Sequence, residues 1–358
     1  LHDTILKLDE LGHDIPTKYK MLERYTGVRV LDVPMNDPMV YSLFTSRNAI
    51  GIRDDKGEPA TYGLPEMGTR FVMQMLMDCK PKNFSDLLQI SGLSHGTNVW
   101  LGNAQELIKS GQCTISDVIG CRDDIMMTLI HKYSVEKDMA FKITEFVRKN
   151  KKGQPIPQNM IDVMVEHGVP DWYIESLGKI RYMFPKAHAA AYVITALRLG
   201  WYKIYYPVEF YAAYFTAAPE GFDGEIVMAG KSEVKRVIDE LSAKTSTSQK
   251  EDALLSAMLL VYEYMERGLR FLPVDLYKSD SKAFLPENGK IRLPFSCLNG
   301  VGETAAQNIV RAREENGGIF YSIEELQTTA QVTKTVIEAL RKNGVLDGIS
   351  ETTQLTMF

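Results

Sequence analysis

Arg181-Tyr182-Met183-Phe184-Pro185-Lys186-Ala187-His188-Ala189-Ala190-Ala191-Tyr192 opens an apolar-periodic run that continues to Tyr205. Apolar residues spaced by three and four mark a helix. Pro185 cannot donate a backbone hydrogen bond and limits extension backwards, which places Lys186 and His188 near the helix N-terminus. Unpaired N–H groups there favour an anion, and a triphosphate would be well placed. Tyr192 lies one turn beyond His188, where its ring either packs on the core or stacks on a base.

Outward from this helix the same spacing recurs in Phe71–Met77, Ile125–Tyr133, Met139–Val147, Ile226–Leu241, Ala253–Met265, Ala305–Arg313 and Val332–Leu340. The expected fold is therefore mainly α with small β elements. The clearest strand signals are Leu269–Tyr277, Ala283–Leu285 and Lys290–Pro294, with Asn288-Gly289 as a short β-hairpin turn. Breakers at Thr216–Gly224 and the polar stretch Lys244–Asp252 divide the helical blocks.

The 358 residues exceed what one hydrophobic core usually serves, and 45% hydrophobic with 24% charged residues is the composition of a globular protein. No apolar run reaches the length that spans a bilayer, so a cytoplasmic location and no membrane partner are expected. The four cysteines, Cys79, Cys113, Cys121 and Cys297, form no Cys-x-x-Cys pair and read as reduced thiols. The start at Leu1, inside a patterned segment, suggests a piece of something longer. A net charge of −5 argues against nucleic acid on average, yet basic groups cluster in residues 142–152 and 179–186. Each cluster alone also reads as a solvated face.

Leu298-Asn299-Gly300-Val301-Gly302 leads into a helix that begins at Glu303 and Thr304, the hairpin sequence of a helix-hairpin-helix element. Its glycines let the backbone turn and approach a phosphate, and free N–H groups at the helix start supply donors. Such contacts grip a duplex without reading its sequence. Val332–Leu340 followed by Asn343-Gly344-Val345-Leu346 is the expected partner of a tandem pair. After a polar spacer, Gln354-Leu355-Thr356-Met357-Phe358 offers one polar anchor and apolar plugs for a surface pocket.

FPKAHAAAY (184–192), with SGLSHGTNVWLGNAQEL (91–107) and CRDDIM (121–126), resembles the fingers of C-family bacterial replicative DNA polymerases, in particular the PolC type of low-GC Gram-positive bacteria. The similarity runs through the chain in order: LKLDELGHD (6–14), TYGLPEMGTRFVMQML (61–76), EFVRK (145–149), VPDWYI (169–174), the Gly300-Val301-Gly302 hairpin and QLTMF (354–358). This resemblance implies the C-terminal part of such an enzyme. Residues 1–30 would end the palm, 31–218 form the helical, nucleotide-binding fingers, and 219–349 form a duplex-binding domain with tandem helix-hairpin-helix at 294–349. Residues 350–358 would be a clamp-binding tail.

The resemblance places the third catalytic carboxylate, a Mg²⁺ ligand, on Asp9. Two-metal nucleotidyl transfer needs further carboxylates, expected upstream as Asp-x-Asp, so the chain alone would be inactive. Glu10 departs from the family pattern, and Asp14 is the competing carboxylate. Nucleotide-binding candidates are Arg122, Arg148, Lys186, His188, Tyr192 and His95. Arg122 could instead pair with Asp117, Asp123 or Asp124.

DNA-binding candidates are Gly300, Val301, Gly302, Thr304 and Gly344. Gln354, Leu355, Met357 and Phe358 would bind a sliding clamp. Implied partners are primer–template DNA, dNTP, the clamp and other replisome proteins. A non-enzymatic helix-hairpin-helix adaptor tethered to the clamp explains the last segment and leaves FPKAHAAAY unexplained. A metal-dependent hydrolase lacks a His-x-His or His-Glu-x-x-His cluster.

Overall fold

The computed structural model describes residues 13–352, so Asp9 and the tail from Gln354 to Phe358 lie outside the described residues. The described chain folds as two compact units, one formed by Pro34–Ile204 and the other by the residues up to Val33 together with those from Tyr205 onward.

In chain order, α1 (Ile15–Thr26) belongs to the second of these units. The Pro34–Ile204 unit then contains α2 (Pro38–Ser42), α3 (Arg70–Cys79), α4 (Phe84–His95), α5 (Gln105–Lys109), α6 (Arg122–His131), α7 (Lys137–Lys149), α8 (Gln158–Glu166) and α9 (Asp171–Lys179). Its longest helix, α10 (Lys186–Tyr205), begins directly after Pro185, as the proline dictates. α10 buries Ala189, Val193, Ala196, Leu197 and Leu199. Lower on the same helix, Lys203 is fully buried and donates to the carbonyls of Ala60 (2.8 Å) and Tyr62 (2.7 Å). That anchors the start of the loop that carries Glu66.

Gly92 decides how α4 is seated. A Cβ at that position would lie 2.4 Å from the Gly120 carbonyl oxygen and 2.6 Å from Cys121 Sγ. Only a glycine allows this approach, which sets the C-terminal end of α4 beside the segment leading into α6. Burial pushes the Cys121 thiol up to about 12, so it is an inert packing group.

The other unit holds α11 (Pro207–Ala217), α12 (Gly224–Ala229), α13 (Lys231–Ser242), α14 (Gln249–Glu266), α15 (Glu303–Glu315), α16 (Ile323–Ala330) and α17 (Lys334–Lys342). The expected continuous helix 226–241 is two helices, because Gly230 takes φ 104° and breaks the run. Its core is aromatic: Tyr211, Phe215, Phe222, Tyr264, Phe271 and Phe284 meet with ring centroids 4.6–5.6 Å apart in successive pairs. α11, expected among the fingers, packs against α1 and the small sheet of this unit.

That sheet has the order β1 (Phe271–Leu272), β3 (Lys290–Arg292), β2 (Leu285–Glu287), with β1 parallel and β2 antiparallel to β3. Asn288 (φ 52°) and Gly289 (φ 74°) make the turn that an Asn-Gly pair favours. The first strand is much shorter than the expected 269–277, since Pro273 follows it and cannot donate to a ladder.

Candidate nucleotide and duplex-binding sites

The start of α10 gathers most of the nucleotide candidates. His188 is stacked on Phe184 with centroids 4.6 Å apart and lies 4.8 Å from Tyr192. His95, the last residue of α4, approaches the same group at 5.4 Å from both Phe184 and His188, and 6.4 Å from Tyr192. The His95 ring is oriented from both sides. Nδ1 faces the Ser91 carbonyl at 2.7 Å, and Nε2 faces Glu66 Oε2 at 2.8 Å. A short antiparallel bridge, with the Thr97 N–H donating to the Tyr182 carbonyl at 2.9 Å, fixes the segment after α4 to the segment before α10.

Two basic residues join this corner through their neighbours. The Lys186 ammonium donates to Asp124 Oδ1 (2.8 Å) while remaining half exposed. The hydrogen bond to Asp124 holds its pKa above the ordinary lysine value, so it stays charged. The Arg122 N–H donates to the Phe184 carbonyl at 3.2 Å, which brings the first residue of α6 to the same corner. Its guanidinium makes no hydrogen bond or ion pair among the described residues. The carboxylates that could have claimed it are engaged elsewhere: Asp124 with Lys186 and the Cys121 N–H, Asp117 with Thr114 and Lys132, and Asp123 with the Lys186 backbone N–H at 2.7 Å.

That last bond corrects one expectation. The first N–H of α10, which the sequence reading offers to an anion, already donates to the Asp123 carboxylate. His188 is also no cation. Burial, with the neighbouring His95, lowers its pKa against the weaker opposing pull of Glu66, leaving a neutral ring in the stack at pH 7.

Arg148 is not brought to this group by any hydrogen bond, ion pair or ring contact. It forms a bidentate pair with Glu145 on its own helix at 2.6 and 2.7 Å, and Lys149 shares the same carboxylate. Glu66 and Phe184 carry no assigned role in the sequence, and Asp123 and Asp124 enter it only as possible partners of Arg122, whereas both meet Lys186. Only the acidic pair beside Arg122 carried a signal.

In the other unit, Leu298–Gly302 makes the expected hairpin. Gly300 takes φ 91°, Val301 is buried, and Gly302 (φ −75°, ψ 164°) precedes α15 with no side chain to cap it. Glu303 and Thr304 are exposed, so the start of α15 faces solvent. A Cβ at Gly302 would meet nothing within 4 Å, whereas one at Gly300 would lie 3.3 Å from Ala339 Cβ on α17.

The second hairpin is at Gln331-Val332-Thr333, not at Asn343–Leu346. Gln331 takes the left-handed conformation (φ 52°), Val332 is buried, and Thr333 (φ −76°, ψ 162°) repeats the backbone of Gly302 before α17. Here Thr333 accepts from the Val336 N–H through its own side chain. One hairpin leaves its helix start open and the other closes it. Gly344 (φ 71°) belongs to the turn ending α17, where the Val345 N–H returns to the Leu340 carbonyl at 3.0 Å.

Residues 15–168 match the bacterial DNA polymerase III alpha subunit finger domain, and residues 268–355 match a helix-hairpin-helix motif. Over the whole chain, identity is 48% to the DNA polymerase III PolC-type of Halalkalibacterium halodurans and 46% to that of Bacillus subtilis, covering 25% of each relative, and 46% to that of Thermotoga petrophila, covering 26%. The chain is a relative of PolC-type DNA polymerase III. It spans about a quarter of the length of these PolC-type relatives. The finger match ends at residue 168, before the Phe184–Tyr192 group, whereas the PolC-type similarity runs through it.

No helix among the described residues is long and apolar enough to cross a membrane. Nor, among them, do three or more His, Cys, Asp or Glu side chains gather as a metal site.

Proposed function

We propose that this chain supplies the nucleotide-binding fingers and the duplex grip of a replicative DNA-directed DNA polymerase acting in the cytoplasm. The observation that carries the reading is the group at the head of α10, where the Phe184, His188 and Tyr192 rings lie beside the charged Lys186 and the unpaired Arg122. A nucleoside triphosphate presents both a flat apolar base and a polyanion, and this corner offers partners for both. Lys186 keeps two N–H donors beyond the one given to Asp124, and the Arg122 fork can donate twice to phosphate oxygens. The neutral His188 ring, packed on Phe184, provides a stacking surface without adding charge.

The open helix start after Gly302 would accept a phosphate of the primer–template duplex. Asp9, with carboxylates supplied from elsewhere in a complete polymerase, would hold Mg²⁺, which when bound neutralises the triphosphate and activates the primer hydroxyl. Gln354, Leu355, Met357 and Phe358 would tether a sliding clamp and so tie the chain to the replisome. An adaptor without enzymatic function gives no account of the finger-domain match.

The test is steady-state single-nucleotide incorporation by a complete polymerase carrying Lys186→Ala or Arg122→Ala. A raised KM for dNTP, with duplex affinity unchanged, is the expected result. Normal kinetics in both folded variants would sink the nucleotide assignment.

A further inference from the structure

The lysine cluster on α7 and in the loop after it takes no part in the two sites above. Phe141, Lys142, Phe146, Lys149, Lys151 and Lys152 line an open groove of about 800 Å³ between α7 and the loop leading to α8. Glu145 is the acidic side chain in it, and its charge is spent on Arg148 and Lys149. Lys142, Lys151 and Lys152 form no ion pair among the described residues. Phe141 is 53% exposed, and neither it nor Phe146 touches another aromatic ring among those residues.

The loop is built rather than slack. Asn150, only 6% exposed, donates to the Gln154 carbonyl and accepts from the Gln154 N–H, both at 2.7 Å. This reciprocal pair closes a tight turn that holds Lys151 and Lys152 outward. The groove thus combines unstacked rings with uncompensated ammonium groups on a braced frame. Aromatic platforms among basic residues suit a flexible polyanion with exposed bases, which means single-stranded nucleic acid. A duplex hides its bases, and an acidic peptide brings nothing to stack on the rings.

We infer that this groove binds an unpaired single strand of DNA, the template ahead of the duplex. That the strand is a template rests on the polymerase reading; the single-strand binding does not.

The test is fluorescence anisotropy with the full 358-residue chain, without dNTP, on an oligo-dT of about 20 nucleotides and on a blunt duplex. Lys142→Gln, Lys151→Gln and Lys152→Gln together should reduce the salt slope of single-strand binding by about 2, because roughly 0.7 counterion is released per phosphate contact. Phe141→Leu, which keeps an apolar side chain but removes the ring, should weaken oligo-dT binding by about fivefold or more. Duplex affinity and melting temperature should stay unchanged for both, since the substituted side chains are exposed.

Unaltered oligo-dT affinity and slope in both variants would overturn the inference. So would competition by a Glu-rich peptide as effective as unlabelled oligo-dT, which would mark the groove as a site for an acidic protein segment. Since no dNTP is used, failure here leaves the test at Lys186 and Arg122 standing, and failure there leaves this one.

Discussion

Gly302→Ala should separate folding from the proposed duplex binding, because the site tolerates a methyl. Gly302 has φ −75° and ψ 164°, a conformation alanine adopts freely, and a Cβ there has open space for 4 Å. Replacing glycine reduces unfolded-chain entropy and stabilises by about 0.4–1 kcal/mol. Alanine is a poorer N-cap than glycine by about the same amount. The two nearly cancel, so stability should stay within about 0.5 kcal/mol of the parent, a shift of no more than ~2 °C in Tm for a unit of this size.

On the proposed duplex grip, a methyl in that open space would stand between a phosphate and the N–H groups at the start of α15. Losing one charge-assisted hydrogen bond costs about 1.5–3 kcal/mol, so duplex affinity should fall by roughly tenfold to a hundredfold. Gly300→Ala is the control that differs in kind. Its φ of 91° and the Ala339 contact at 3.3 Å strain the fold itself, by about 1–2 kcal/mol from the backbone alone. The assay is anisotropy on duplexes of unrelated sequence across a salt titration, paired with thermal melts. Gly302→Ala with full affinity, or with a melting loss like that of Gly300→Ala, would refute the hairpin as the phosphate contact.

Other outcomes follow from single bonds. Lys203→Met leaves the Ala60 and Tyr62 carbonyls without their amino partner, and should destabilise the Pro34–Ile204 unit by about 2–4 kcal/mol in denaturant titrations; unchanged stability would show the carbonyls find other donors. The folded pKa of His188 is held below its ordinary 6.5, so on acidification the unfolded chain takes up that proton first. The contribution of this ring to stability should be full above about pH 6.5 and decline below it, and His188→Gln should flatten that decline in melts; an identical pH profile in the variant would contradict the assignment. Deleting Gln354–Phe358 should spare single-nucleotide incorporation and shorten products only when clamp is loaded, because a tether raises local concentration without touching chemistry. Loss of clamp-independent activity would point to a packed tail.

What the sequence revealed depended on whether a residue acts through its neighbours in the chain. Pro185 dictates where α10 begins, and the Asn288-Gly289 pair dictates a hairpin, so both were legible. The pairing of His95 with Glu66 spans 29 residues and depends on a loop anchored by Lys203, which no local pattern announces. Arg148 is basic and so invites a phosphate, yet a glutamate one turn earlier on the same helix pairs with it. The second hairpin carries no local signal because Gln331 takes a left-handed conformation usually left to glycine, while Gly344 supplies a glycine at the turn that ends α17.

On the proposed function, the head of α10 would hold the incoming nucleotide with its base against the rings. The most direct measurement is photo-crosslinking of a base-azido dNTP in a ternary complex of a complete polymerase carrying this chain, with the adduct mapped by mass spectrometry. Adducts are expected on Tyr192 or His188 and should be lost when unmodified complementary dNTP competes. Competable labelling confined to other segments, with Phe184–Tyr192 clean, would contradict it.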